Sequence, residues 1–198
     1  MMEKLCIDFY QREDVVQIAR ELMGKLLVTS FDGVVTSGRI VETEAYNGVG
    51  DKASHAFGGR RTNRTKTMYM PGGTVYVYLC YGIHHLFNVV TNVAGEPHAI
   101  LIRSVVAMDG METILGRLDK KTLKNDLLKG PGVVSKGLGI TTTQTGSSLL
   151  NESIFICDDG VVSPSEFISA TPRIGVDYAG EDALLPYRFT DKRIGALK

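Results

Sequence analysis

The chain has no tryptophan, six prolines and three cysteines in 198 residues, and no excess of either charge. Cys6, Cys80 and Cys157 lie far apart and form no Cys-x-x-Cys pair, which argues against a disulfide framework or a thiolate zinc site and fits a reducing compartment. The four histidines offer no better ligand set: His84 and His85 are adjacent and so point to opposite faces of a strand, while His55 and His98 are isolated. Without His-x-His or His-x-x-x-His spacing, neither a metal site nor a metal cofactor is expected. No Gly-x-Ser-x-Gly elbow, Walker A loop or dinucleotide fingerprint occurs. No apolar run approaches the length of a membrane helix, and Met1–Tyr10 lack the apolar stretch of a signal peptide. Twenty-two basic residues balance twenty-two acidic ones, which argues against broad, charge-driven adhesion to nucleic acid. The expectation is a soluble cytoplasmic protein, nucleoid-associated if the source is bacterial.

What is present is ordinary in bulk: 43% apolar and 22% charged residues, as in globular proteins generally. The length suits a single domain over residues 1–198 with one sizeable core, and there is no repeat or low-complexity linker. Asp14 to Gly24 has helical spacing, with Val15, Ile18, Ala19 and Leu22 on one face and Gly24 at a capping position. Leu26–Phe31 and Val34–Tyr46 flank Asp32-Gly33, a strong hairpin signal. Thr74–Cys80, His84–Thr91 and Ala99–Val106 have strand character, as do the shorter Ser153–Cys157 and Gly160–Val162. Met111–Leu118 and Leu123–Lys129 carry helical spacing, the second stopped by Gly130-Pro131-Gly132. Runs of strands with helices at their edges indicate an α+β fold with a mainly antiparallel sheet.

Chemistry concentrates in residues 39–106. Period-two reading of the strand around Glu42 puts Ile40, Glu42, Glu44 and Tyr46 on one face and Val41, Thr43 and Ala45 on the other; this is either a solvated face or one wall of a site with a general base. Between Gly58 and Thr67, Arg60, Arg61, Arg64 and Lys66 occur without an acid, in a flexible loop that is either solvated or suited to phosphate contacts. In Thr74–Tyr81, Tyr76 and Tyr78 share a face, and Tyr81 stands beside Gly82 at a turn, where it has no core to fill. Arg103 sits in an apolar strand, where a guanidinium costs several kcal/mol unless carboxylates meet it; Glu44 or Glu42 is the natural partner.

These residues, in order, resemble the alkyladenine (3-methyladenine) DNA glycosylases: Arg39 through Tyr46, Asp51, His55, Gly59-Arg60 with Thr62 and Arg64, Met68, Pro71, Val75-Tyr76-Val77-Tyr78, Tyr81-Gly82, Asn88, Leu101-Ile102-Arg103, Gly130-Pro131-Gly132 and Pro172-Arg173-Ile174-Gly175-Val176 with Ala179-Gly180. The resemblance spans roughly residues 8–190. It implies a metal-independent, cofactor-free, monofunctional repair glycosylase that flips alkylated or deaminated purines out of damaged double-stranded DNA and hydrolyses the N-glycosidic bond, leaving an abasic site. Glu44 would be the general base, Arg103 its partner at the water, Tyr46, His55 and Tyr78 the faces that hold a flipped purine, and Tyr81 the wedge that fills the gap. Asn88 would clash with the guanine amino group, and Arg60, Arg61, Arg64 and Lys66 would meet phosphates. Lys52 and Lys66 lie in loops rather than in the site blocks, so a Schiff-base mechanism is not expected, and the absence of heptads suits a monomer. Two departures touch DNA contacts: Val133 stands where a basic or polar residue is expected, and His84-His85 replace bulkier aromatics. Two other readings remain open, a non-catalytic nucleic-acid-binding module and a carbohydrate glycosidase built on Glu42 and Glu44.

Overall fold

Asp14 begins the first substantial helix by accepting the Gln17 amide at 2.9 Å, the side-chain cap that an exposed first turn needs. In a computed structural model, which describes residues 2–193, the strands are β1 (Glu3–Lys4), β2 (Leu26–Phe31), β3 (Val34–Tyr46), β4 (Val75–Cys80), β5 (His84–Thr91), β6 (His98–Ala107), β7 (Leu127–Lys129), β8 (Ile154–Asp158), β9 (Ile168–Thr171) and β10 (Arg188–Asp191). The α-helices are α1 (Ile7–Tyr10), α2 (Val15–Glu21), α3 (Met111–Leu118) and α4 (Pro131–Leu138). The strands form one antiparallel sheet in the order β1-β8-β2-β3-β6-β5-β4, with β7 added beside β6 and β10 beside both β3 and β9. The fold is α+β, as expected from the pattern of elements.

Long strand β3 organises the sheet because its neighbours change along its length. Residues 34–39 pair with β2 across the Asp32-Gly33 turn, where both residues have positive φ (53° and 78°), the backbone that matches hairpin twist. Farther along, Glu42–Glu44 pair on that same edge with Thr190–Arg188 of β10, while the other edge runs against β6. Ile100, Ile102 and Val105 of β6, Val75 and Val77 of β4 and Phe87 of β5 form the apolar face, against which Ile18 and Leu22 of the α2 segment and Val134 and Leu138 of α4 pack. Irregular chain from residues 47–70 and 172–187 lies toward the other face, and the site is built there.

The structure corrects four local expectations. A register shift between Ile40 and Thr43, opposite Ile102–Val105, leaves Val41 and Arg103 without paired partners. This bulge reverses the alternation: Ile40 joins Ala45 in the main core and Val41 packs with Val106 on the other side. Leu123–Lys129 is a short 3₁₀ turn (Lys124–Asp126) followed by β7, not a helix. Gly130-Pro131-Gly132 opens α4 rather than closing a helix, since proline tolerates the first helical position, where no amide is required. Gly160–Val162 is irregular, its backbone turned by Asp158 and Asp159 side chains that accept the Gly160 and Val161 amides.

Gly72 marks the closest approach of three chain segments: it donates to the Asn92 carbonyl at 2.8 Å while Asn92 donates to Tyr10 at 2.8 Å. A Cβ there would stand 2.5 Å from the Tyr10 oxygen and 2.9 Å from the Asn92 oxygen. Gly72→Ala is therefore expected to cost about 1–3 kcal/mol, the range of an overpacked interior. Urea unfolding measures this, and a midpoint equal to that of the parent would remove the constraint.

Candidate active site

The bulge in β3 and β6 sets Glu42, Arg103 and Ser104 together. Arg103 donates from Nε to Glu42 Oε1 at 3.1 Å and from Nη1 to Glu44 Oε2 at 3.3 Å, so one guanidinium is shared by two carboxylates. Glu42 also accepts from Ser104 Oγ at 2.6 Å and from Arg188 Nη1 at 3.1 Å. Glu44 is fully buried and accepts from the Tyr46 hydroxyl at 2.8 Å and from the Ile174 amide, also at 2.8 Å. A carboxylate offers about four acceptor positions; these contacts fill both on Oε2 and one on Oε1.

The two carboxyls are driven apart in acidity. Burial raises Glu44 above the usual carboxylate value, the Arg103 charge, the Ile174 amide and the Tyr46 hydroxyl offsetting only part of it, and Glu42 adds to the rise. Burial acts the same way on Glu42, but the Ser104 bond and the Arg103 and Arg188 contacts outweigh it, leaving Glu42 below that value. Such divergence between neighbours separates a proton acceptor from a permanent counter-ion.

Above this cluster lies a cavity of about 270 Å³ whose lining includes Tyr46, His55, Tyr78, Asn88, Arg103 and Tyr81. Every expected base-binding residue therefore faces one space, with Glu44 behind its wall rather than on it. His55 and Tyr78 meet edge to face, centroids 4.7 Å apart at 79°, so they form a corner rather than two parallel plates. His55 Nδ1 is 3.1 Å from the Tyr76 hydroxyl, and Arg64 Nη2 donates to Nε2 at 3.0 Å. Burial, with Arg64 and Arg60 nearby, pushes the imidazole down to about 4; it is neutral at physiological pH and carries its proton on Nδ1, because Nε2 accepts. Asn88 donates both amide hydrogens to main-chain carbonyls, Tyr76 at 3.2 Å and Leu86 at 3.0 Å, which fixes the orientation of its amide. Tyr81 is 91% exposed at a positive φ of 52°, consistent with an aromatic on a turn that fills no core.

The basic loop divides. Arg64 belongs to the cavity, its guanidinium 4.6 Å over the Tyr78 ring, whereas Arg60, Arg61 and Lys66 are exposed outside the lining. The loop is braced rather than free: the Thr62 amide donates to Thr65 Oγ1 at 2.8 Å, Thr65 Oγ1 to the Arg60 carbonyl at 3.0 Å, and Arg61 stacks 4.0 Å over Tyr69.

Residues given no individual role in the sequence reading prove structural to the site. Arg173 is buried and grips Asp51 with both terminal nitrogens (Nη2 to Oδ1 at 2.9 Å), while Nη1 donates to the Ala45 carbonyl at 2.8 Å. This clamp ties the end of β3 to residues 172–182 and so presents the Ile174 amide to Glu44. Arg188, Ser104 and Tyr76 were likewise unassigned. Asp51 and Arg173 fall in the family-like blocks, which is the one signal that marked them; a backbone amide such as that of Ile174 carries none. Among the described residues no group of three His, Cys, Asp or Glu could hold a metal ion, and no helix is long and apolar enough to cross a membrane.

A buried, arginine-paired glutamate thus lies behind an aromatic cavity with an exposed turn tyrosine at its mouth. Comparison with known proteins gives the family. The model of the methylpurine-DNA glycosylase (MPG) family matches residues 8–194. The chain is 43% identical over 182 residues to a Chlamydia pneumoniae protein named "Putative 3-methyladenine DNA glycosylase", covering 91% of each. It is 44% identical to a Chlamydia felis protein of that name (91% of this chain, 92% of the relative) and 43% to one from Bacillus thuringiensis strain Al Hakam (91% and 92%). The chain belongs to the methylpurine-DNA glycosylase family, enzymes that hydrolyse N-glycosyl bonds.

The Asp51–Arg173 pair yields a stability prediction. Asp51→Asn leaves the buried guanidinium without its counter-charge, which is expected to cost about 3–5 kcal/mol, read by thermal or urea unfolding. A change within ~0.5 kcal/mol would show that the main-chain acceptors alone hold Arg173.

Proposed function

We propose that this enzyme removes alkylated purines, with 3-methyladenine among them, from double-stranded DNA, flipping the nucleotide into the aromatic cavity and hydrolysing its N-glycosidic bond to leave an abasic site. The observation that carries the reading is Glu44: a carboxylate raised by burial and held by three donors, with one acceptor position of Oε1 unfilled, which in this reading a water takes. In this reading Glu44 takes a proton from that water as it attacks the anomeric carbon, and its negative charge offsets the oxocarbenium character that develops there. Arg103, which lines the cavity, orients Glu44 and the water.

The leaving group needs little help. A purine alkylated at N3 or N7 carries a formal positive charge and departs as a neutral base, so no protonation is required. The Tyr46 and Tyr78 rings and the neutral His55 supply π-faces, and a cationic base gains cation–π attraction that a normal base lacks. Tyr81 enters the duplex and occupies the space the nucleotide vacates. Asn88, its amide hydrogens already spent, excludes the guanine amino group by bulk. Arg60, Arg61 and Lys66 neutralise phosphates of the lesion strand, and a single copy of the chain, with no lysine nucleophile, suffices. The glycosidase alternative fares badly, because Glu42 and Glu44 share one arginine instead of flanking a substrate, and a purely binding module leaves that arrangement without purpose.

Incubation of the purified protein with methylated duplex DNA, with release of free base as readout, tests the function directly; no free base at any enzyme excess overturns it. Glu44→Gln is expected to keep affinity for damaged duplex while excision falls at least ~10²-fold, measured in single-turnover assays. With Glu44 as base, wild-type rate is lost as pH falls through its raised pKa, so the acid limb should lie above the ordinary carboxylate range of about 4.3. Near-normal turnover by the variant would remove Glu44 from the mechanism. Tyr81→Ser should impair excision at a fully paired lesion far more than at the same lesion opposite a gap, where unpairing costs less. Equal losses on the two substrates would mean that Tyr81 only packs.

A further inference from the structure

Glu42 has more partners than a counter-ion for one arginine requires. Its Oε2 takes the short Ser104 bond at 2.6 Å, and its Oε1 takes both Arg103 Nε and Arg188 Nη1 at 3.1 Å. These donors come from the two strands that flank β3, β6 on one edge and β10 on the other. The consequence falls on Arg103. A guanidinium beside a carboxylate prefers a parallel, two-bond pairing, yet Arg103 reaches Glu44 through a single nitrogen at 3.3 Å. Its Nε is committed elsewhere.

We propose that Glu42 is a positioning residue: braced by Ser104 and Arg188, it holds Arg103 by Nε so that only one guanidinium nitrogen meets Glu44 and one acceptor position of Glu44 stays open for water. The bulge is what makes this geometry available, since strict alternation would set Ser104 on the opposite face from Arg103. Removing Glu42 lets the fork turn fully onto Glu44, which fills its last acceptor position and deletes a neighbouring negative charge. Removing Arg188 acts the other way: Glu42 loses a cation, draws Arg103 more strongly to itself and loosens the hold on Glu44.

The signs follow. Glu44 is faced by Arg103 from β6, by Tyr46 and Glu42 on its own strand, by Tyr78 from β4, by Arg188 paired opposite it on β10, and by Arg173 with the Ile174 amide from the 172–176 segment. Burial raises both tyrosines, Glu42 is held below the usual carboxylate value, and His55 in the cavity is pushed down to about 4. Within the range followed, the acid limb of the rate profile therefore reports Glu44. In Glu42→Gln that limb should move to lower pH by about 0.5–1 unit, because a tighter cation and a lost anion both favour the ionised form. The neutral-pH rate should fall ~10-fold, a loss of general-base action confined to the chemical step. In Arg188→Gln the limb should move to higher pH.

The inference rests on Glu44 as the base, and the experiment separates the two. Single-turnover release of 3-methyladenine from methylated duplex DNA is followed from pH 4.5 to 8.5 for the parent, Glu42→Gln and Arg188→Gln, alongside thermal unfolding of each. A cationic lesion is chosen so that leaving-group protonation does not add its own limb. Opposite displacements of the two limbs support the positioning role. Limbs that stay in place, or move in the same direction, overturn it, as do rate losses that only track lost thermal stability. A parent protein that releases no base overturns the glycosylase reading instead. Arg188 is partly exposed, so its variant carries the test alone if Glu42→Gln does not fold.

Discussion

The guanidinium of Arg103, shared between Glu42 and Glu44, is the interaction on which the rest of this structure turns. It is only 12% exposed in side-chain terms, and Glu44 is completely buried. Neither charge survives there without the other, since an isolated buried ion of either sign costs several kcal/mol. Strand β3 must therefore carry the carboxylates where β6 carries the arginine, and both strands must bulge so that Arg103 and Ser104 reach the same side. β10 is drawn into the same network through Arg188, and it closes the edge of β3 that β2 leaves open. Charge satisfaction and sheet topology are one problem at this point in the molecule.

Much of that was readable from residue order. Arg103 in an apolar strand demanded a carboxylate, and the only carboxylates spaced along a comparable strand were Glu42 and Glu44. Tyr76 and Tyr78 alternate with Val75 and Val77, which puts the rings on one face whatever the rest of the fold does. Tyr81 beside Gly82 announced an aromatic with nothing to pack on, and the structure leaves it in solvent. The Asp32-Gly33 hairpin needed no tertiary information at all, because its turn geometry is local.

What was not readable depends on long-range pairing. A bulge has no residue signature here, so period-two reading placed Ile40 with the glutamates when it belongs to the core. Residues 188–191 are too short and too mixed, Arg-Phe-Thr-Asp, to stand out as a strand; they become one because Glu42 and Asp51 recruit the C-terminal segment through Arg188 and Arg173. Leu127–Lys129 carries helical spacing, but β6 offers it an edge, and edge pairing overrides local preference. The edge-to-face meeting of His55 and Tyr78 was not readable either, because His55 is oriented by its bonds to Tyr76 and Arg64.

These constraints leave little of the site free to adjust. The Asp51–Arg173 clamp sets the Ile174 amide, the amide sets one oxygen of Glu44, and Tyr46 with Arg103 sets the other. In the proposed mechanism a group fixed by donors from three separate segments does not reorganise when charge develops beside it, which is the condition under which electrostatic stabilisation is most effective. The zero net charge of the chain is consistent with this design. Several of its cations are spent individually: Arg103, Arg173 and Arg188 on buried or half-buried carboxylates and Arg64 on the cavity wall, while Arg60, Arg61 and Lys66 of the loop lie in solvent outside that lining. A chain with no net charge gains little from long-range attraction to a polyanion, so in the proposed reading discrimination falls on what enters the cavity rather than on how tightly the surface adheres.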